Sequence, residues 1–173
     1  SPRSWPGAAR DVELDELVLH ELTHCVLFQS AGTGDAWKTK HIPFWFREGM
    51  ATVSANQGPL YPSLEDLARW QAAHPEADVF TDGDALAADD YDHVYGQAHH
   101  ALTFLQSRYG GDVVNGILAA LPTAPDFDTA FVTHVGLSVE SFAREFRTYL
   151  KLRGFRGWGR PLHPSTPAPD RRF

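Results

Sequence analysis

The amino-acid sequence predicts a mainly α-helical domain, and three observations lead to this prediction. Apolar residues recur at helical spacing along most of the chain, capping residues precede several of these runs, and no segment alternates with the period of a strand. With 173 residues, 43% of them hydrophobic, the chain can bury a core of its own. We expect one domain over residues 11–154, between an irregular lead-in at 1–10 and an extended, proline-rich tail at 155–173.

Breakers and caps delimit the first helices. The first helix is predicted to end at the Gly-Thr-Gly of residues 32–34, and the second to begin near Pro43. A third helix has Ser63 as its N-cap, with Asp66 three residues later, and ends before Pro75.

The remaining elements follow from charge and periodicity. The acidic stretch 76–92 predicts a loop with a short turn. Ser138 is the predicted cap of the last helix. Helices are predicted at 93–109, 112–121, 126–135 and 139–152, with an apolar cluster that includes Phe127, Phe131, Leu137, Phe142 and Phe146.

The first helix is apolar on almost every side, which is typical of a central, buried helix. His20, Glu21 and His24 lie among these apolar residues. Burying two imidazoles and a carboxylate is costly unless another group compensates them, and a divalent metal ion would do so. Cys25 points about 100° away from His24 on a regular helix, so we expect a small core residue there.

Residues 20–24 read His-Glu-Leu-Thr-His. Residues four apart lie about one helical turn apart, so the imidazoles of His20 and His24 project toward one point, with Glu21 beside it. Imidazole nitrogen is a common zinc ligand, and three protein ligands with one open position are typical of catalytic zinc sites. The same pattern also occurs by chance, so a third ligand is needed to make it specific.

Glu48 is the candidate third ligand. It lies on the second predicted helix among apolar neighbours that would pack this helix beside the first: Phe44, Trp45, Phe46, Met50, Ala51 and Val53. The alternative is an exposed carboxylate in a first turn, where it complements the helix dipole. The aromatic surroundings favour the ligand.

Together these segments resemble the gluzincin metallopeptidases, the clan that contains thermolysin and the aminopeptidase N family, and most of all the peptidase MA-like family. Gluzincins carry HExxH on one helix and a Glu on the next. In the aminopeptidase branch that Glu lies in a W-x-x-E-G motif, which residues 45–49, Trp-Phe-Arg-Glu-Gly, match position by position. The resemblance implies that His20, His24 and Glu48 bind Zn2+ and that Glu21 is the general base. It covers nearly all of residues 11–153 and implies the helical half of a zincin-like domain.

A tyrosine extends the resemblance. In aminopeptidase relatives a catalytic Tyr near a helix start is followed by Leu ten positions on and then by paired glycines, as are Tyr95, Leu105 and residues 110–111 here. This implies that Tyr95 stabilises the oxyanion, although Tyr91, one turn earlier, competes for the role and Tyr95 is otherwise an ordinary half-buried tyrosine. His99 follows Tyr95 by four residues and lies on the same helical face. It could act as a hydrogen-bond donor behind the ligands or as a substrate contact. The alternative is an ordinary core or surface histidine whose hydrogen bonds are satisfied.

Two departures from the family stand out. Gluzincins place a small β-sheet before the HExxH helix, and its edge strand pairs with the extended substrate. Here residues 1–10 alone precede that helix, so either this chain is part of a longer protein or the upper wall of the cleft is missing. In addition, Thr52 stands where thermolysin-like enzymes carry an Asp that supports a zinc-bound His, so such support must come from elsewhere.

The resulting hypothesis is zinc-dependent hydrolysis of peptide bonds in a peptide or protein substrate. Zinc would polarise the carbonyl and activate water, while Glu21 moves the proton to the leaving amine. The absence of a motif for a free amino terminus favours an endopeptidase. The alternatives are a non-catalytic, metal-stabilised binding module of gluzincin ancestry and a metal-free helical interaction domain.

Composition and charge narrow the possible partners and cellular locations of this protein. The net charge of −7 argues against nucleic acid as a partner, and no run approaches membrane-spanning length. One cysteine excludes an intramolecular disulfide. No charged-then-apolar leader opens the sequence, so we expect a signal peptide to be absent or already removed. Proteins of the family that this chain resembles are often exported in bacteria, which favours a secreted or cell-envelope location. The residues themselves leave the compartment and the oligomeric state open.

Overall fold

A computed structural model describes residues 11–32 and 35–157, and every regular element within them is helical. The mainly α fold is therefore confirmed. The predicted lead-in at 1–10 and the tail from residue 158 onward lie outside the described residues. The helices are α1 (Asp11–Ser30), α2 (Ala36–Thr39), α3 (Phe44–Ser54), α4 (Leu64–Ala73), α5 (Val79–Asp89), α6 (Tyr91–Tyr109), α7 (Val113–Ala120), α8 (Phe127–Val135) and α9 (Val139–Gly157), with a 3₁₀ turn at Gly58–Leu60.

Helices α3 and α6 pack closely at the centre of the fold. A Cβ atom on Gly49 would lie only 2.7 Å from the carbonyl oxygen of Ala98, so the lack of a side chain at this position permits the approach. On the other side of α3, the fully buried Trp45 ring contacts aromatic rings at centroid distances of 5.2–6.3 Å. These rings belong to Phe46, Phe80, Phe127, Phe131 and Phe142. Packing on both sides fixes α3, and with it the backbone of Glu48.

The prediction of a loop over residues 76–92 was wrong, because α5 lies inside this stretch. Asp78 caps the helix by accepting a hydrogen bond from the Phe80 amide at 3.0 Å, and its carboxylate also pairs with Arg147. Phe80 is buried against Trp45 in the core. These long-range contacts stabilise a helix whose local composition favours a loop.

The prediction that α1 is central and buried was also wrong. It packs against α3 and α7 on one side, where Leu27 and Ala31 are fully buried. Five of its large apolar residues are nevertheless about half exposed to solvent: Leu14, Val18, Leu19, Leu22 and Val26. Cys25 is exposed as well, so it is not the core residue we expected. Apolar residues on every side of a helix allow each face to be buried. A face becomes buried only where another element packs against it, and in the described part of the chain α1 does not have such a neighbour on every side.

Several helix boundaries agree with the sequence. The Ser63 hydroxyl accepts a hydrogen bond from the Asp66 amide, and that of Ser138 accepts one from the Ser141 amide, both at 3.2 Å. By contrast, α9 continues to Gly157, so residues 155–157 of the predicted extended tail are helical. Among the described helices, none combines the length and apolar character that a membrane crossing requires.

Candidate metal centre

Helices α1 and α3 bring three metal-ligating atoms together. His20 Nε2 lies 3.3 Å from His24 Nε2, and Glu48 Oε2 lies 3.4 Å from the first and 3.5 Å from the second. Ligand atoms about 2.0–2.1 Å from a tetrahedral ion are separated from one another by about 3.3–3.4 Å. The spacing of the three atoms is therefore compatible with binding one tetrahedral metal ion.

The local structure explains this arrangement. The two imidazoles are one turn apart on α1, and α3 begins after the extended residue Pro43, which places Glu48 in its second turn. Glu48 and His20 are each only 8% exposed, so Glu48 is not the solvent-facing carboxylate of the alternative interpretation. The three predicted ligands form a single cluster in which His20 and Glu48 are buried and His24 is half-buried.

The charges in this cluster are mutually dependent. Burial alone would raise the pKa of Glu48, but hydrogen bonds with His20 and His24 outweigh it and lower the pKa to about 2. Burial alone would lower the pKa of His20, yet hydrogen bonds to Glu48 and Gln57 and the nearby carboxylate charges raise it overall. A deprotonated carboxylate and two imidazole nitrogens this close repel one another unless a proton or a cation lies between them. The donor set thus fits a divalent ion, whose binding would displace protons.

The three candidate ligands line a cavity of about 710 Å³. The exposed side chain of Glu21 also lines it, beside the two histidines. Four aromatic residues form part of the cavity wall: Phe44, Tyr61, Tyr91 and Tyr95. The structure therefore brings the predicted ligands, the predicted general base and both candidate tyrosines to one cavity.

Tyr95 and Tyr91 differ in their position on this wall. The pKa of Tyr95 is raised by burial, by the charge of Glu48 and by a hydrogen bond with it, so the phenol remains protonated at neutral pH and can donate a hydrogen bond. The ring packs edge-on against Phe44 at 5.3 Å and stacks on Tyr91 at 4.0 Å. Tyr91 begins α6 and is 41% exposed at the cavity rim. The Tyr95 side chain interacts with the candidate ligand Glu48.

Tyr61 is a cavity residue that the sequence did not indicate. It precedes α4 in a loop, and its ring stacks on Tyr95 at a centroid distance of 6.3 Å. Burial raises the pKa of Tyr61, and the charge of Tyr91 and a hydrogen bond with it act in the same direction. No motif surrounds Tyr61, so its place in the site follows from the course of the loop.

Thr52 and His99 interact with each other, behind the ligands. The buried Thr52 hydroxyl donates to the carbonyl oxygen of Gly49 at 3.0 Å and lies 3.3 Å from His99 Nδ1. Burial and the charge of His100 lower the pKa of His99 to about 4, so this imidazole is neutral. His99 is not among the side chains that line the cavity. Its hydrogen bond goes to Thr52 and not to a candidate ligand.

Gln57 contacts His20 from outside the cluster of candidate ligands. Its Oε1 atom lies 3.0 Å from His20 Nδ1, on the far side of the ring from Glu48. The sequence did not indicate this residue, because it follows α3 in a turn that no pattern connects to the first helix.

Comparisons with known proteins found no relative: no family model, curated protein or solved structure matches the chain.

Proposed function

We propose that this protein is a zinc-dependent peptidase of the gluzincin type that hydrolyses internal peptide bonds. The observation that supports it most is the triangle of His20, His24 and Glu48 atoms, with edges of 3.3–3.5 Å, in a cavity that Glu21 also lines. The order of these residues, HExxH followed by a Glu within W-x-x-E-G, supports the same assignment.

The proposed roles follow from the chemistry of each side chain. His20, His24 and Glu48 would hold the zinc ion, and its Lewis-acid chemistry would polarise a carbonyl and acidify water. The Glu21 carboxylate accepts the proton of the attacking water and later delivers it to the leaving amine. Because Glu21 is exposed on the cavity wall, it is accessible to water and substrate.

Tyr95 is proposed to stabilise the negative charge that develops on the carbonyl oxygen. At neutral pH its phenol is protonated, which is the form that donates a hydrogen bond. When substrate is bound, this donor would turn from Glu48 to the oxygen of the scissile bond.

Metal analysis and a peptide assay on one preparation test the proposed function. Protein purified without a metal-affinity tag is expected to contain close to one zinc ion per chain and to cleave a mixed peptide library. A chelator should abolish cleavage, and added Zn2+ should restore it. Cleavage that a chelator leaves unchanged would contradict a zinc mechanism.

A second candidate is a non-catalytic binding module in which the metal stabilises the fold. The exposed apolar side chains of α1 favour it, because a contiguous apolar patch often marks an interaction surface. This module would lose thermal stability on chelation yet cleave no peptide in the same library. Protein without any bound metal would instead support a metal-free helical interaction domain.

The Tyr95→Phe variant tests the proposed oxyanion donor. A hydrogen bond that strengthens in the transition state affects kcat more than KM, so kcat should fall about 10²–10³-fold with KM nearly unchanged. Zinc content and melting temperature should be retained because Phe preserves the ring. The matched control is Tyr91→Phe, measured on the same peptide. If Tyr91→Phe lowered kcat strongly and Tyr95→Phe left it unchanged, the oxyanion donor would be Tyr91, one helical turn earlier.

A further inference from the structure

The two nitrogen atoms of the His20 ring have different neighbours. Nε2 faces Glu48 Oε2 and His24 Nε2, while Nδ1 lies 3.0 Å from the side-chain oxygen of Gln57. An amide oxygen only accepts hydrogen bonds, so Nδ1 is the protonated nitrogen in this contact. Nε2 of a neutral His20 therefore keeps its lone pair, directed at the place where the three ligand atoms meet.

His24 provides a contrast within the same cluster. Its Nδ1 atom is buried and has no hydrogen-bond partner among the described residues. The ring is oriented instead by packing, since it stacks on Phe28 at a centroid distance of 6.1 Å. Of the two candidate histidine ligands, only His20 has a hydrogen-bond acceptor at Nδ1, the nitrogen that does not face Glu48, in the described part of the chain.

The backbone around Gln57 is held in place from two sides. The Gln57 amide donates to the carbonyl oxygen of Thr52 at 2.9 Å, which ties the turn to the end of α3. Asn56 permits the turn by adopting a left-handed conformation with φ of 55°. On the other side, a Cβ atom on Gly58 would lie 2.8 Å from Nε2 of His99 on α6, so the turn rests directly on that ring.

From this geometry we propose that Gln57 is a positioning residue for the metal centre. Its side-chain oxygen holds His20 in the Nδ1–H tautomer and orients Nε2 as a ligand. In thermolysin-like enzymes, an Asp at the position of Thr52 supports a zinc-bound His. Here Gln57 would support His20 instead, from the turn that follows α3. The inference rests on the proposed metal site.

Zinc affinity of the purified full chain, measured by competition with a chromophoric chelator, tests this role. Outer hydrogen bonds to a ligating histidine typically contribute 10–100-fold to metal affinity, so Gln57→Ala should weaken zinc binding by about this factor. Gln57→Glu keeps an acceptor oxygen at the same reach and should bind zinc nearly as well as the wild type. The matched control is Gln106→Ala, because Gln106 is also half-buried but lines a separate groove.

A spectroscopic measurement separates positioning from a merely structural contribution. In zinc-loaded protein, the His20 Nδ1–H proton should give a downfield NMR signal that exchanges slowly with water. The signal should persist in Gln57→Glu and disappear in Gln57→Ala, while melting temperatures of the metal-free proteins stay equal.

Other results would overturn the inference in different ways. Equal zinc affinity for Gln57→Ala and wild type, with a raised KM, would make Gln57 a substrate contact. Weaker binding by both Gln57 variants would exclude the acceptor role. If wild-type protein bound no zinc, the metal site and this inference would fail together, whereas the preceding outcomes leave the metal site intact.

Discussion

The His20→Ala variant is expected to lose stoichiometric zinc and, with it, all zinc-dependent hydrolysis. The substitution removes one of the three candidate ligands and deprives the buried Glu48 of its His20 partner, and a buried group that loses a partner costs about 1–3 kcal/mol. The variant also loses the stabilisation by bound metal, which is about 2.7 kcal/mol at a free zinc concentration about 100 times the wild-type Kd. Elemental analysis and thermal melting with and without Zn2+ measure both effects.

The matched control for this variant is His74→Ala. His74 is an exposed histidine at the end of α4, outside the candidate metal cluster. The His74→Ala variant should keep its zinc and the stabilisation that bound zinc provides. Near-stoichiometric zinc in His20→Ala would show that His20 is not a ligand.

The second large effect is expected for Glu21→Gln, which should retain zinc but lower kcat about 10²–10⁴-fold. The amide has nearly the same shape as the carboxylate, but it cannot accept the proton of the attacking water. Glu21 is not a member of the three-atom ligand cluster, so the metal content should not change. Steady-state kinetics and elemental analysis of one preparation separate chemistry from metal binding.

Glu65→Gln is the control for charge removal, because Glu65 is an exposed carboxylate in the first turn of α4. It should leave kcat unchanged. If Glu21→Gln had wild-type activity, Glu21 would not be the base. If it lost zinc instead, Glu21 would act in holding the metal.

The sequence predicted those features that depend on short distances along the chain. Residues four apart on a helix always share a face, so helical spacing alone pairs the imidazoles of His20 and His24. Capping works over three residues, which explains why the helix starts at Ser63 and Ser138 were predicted correctly. The aromatic neighbours of Glu48 likewise indicated a buried position, and this residue is only 8% exposed.

The features that were missed depend on contacts between distant segments. Helix α5 forms in an acidic stretch because Phe80 reaches the core around Trp45. The exposure of α1, including that of Cys25, reflects which faces have neighbours, and the composition of one helix contains no information about this. Gln57 meets His20 across 37 positions of the chain, through a turn held by α3 and α6. Local patterns thus placed the candidate ligands, whereas the packing of helices far apart in sequence created the cavity around them and the support for His20.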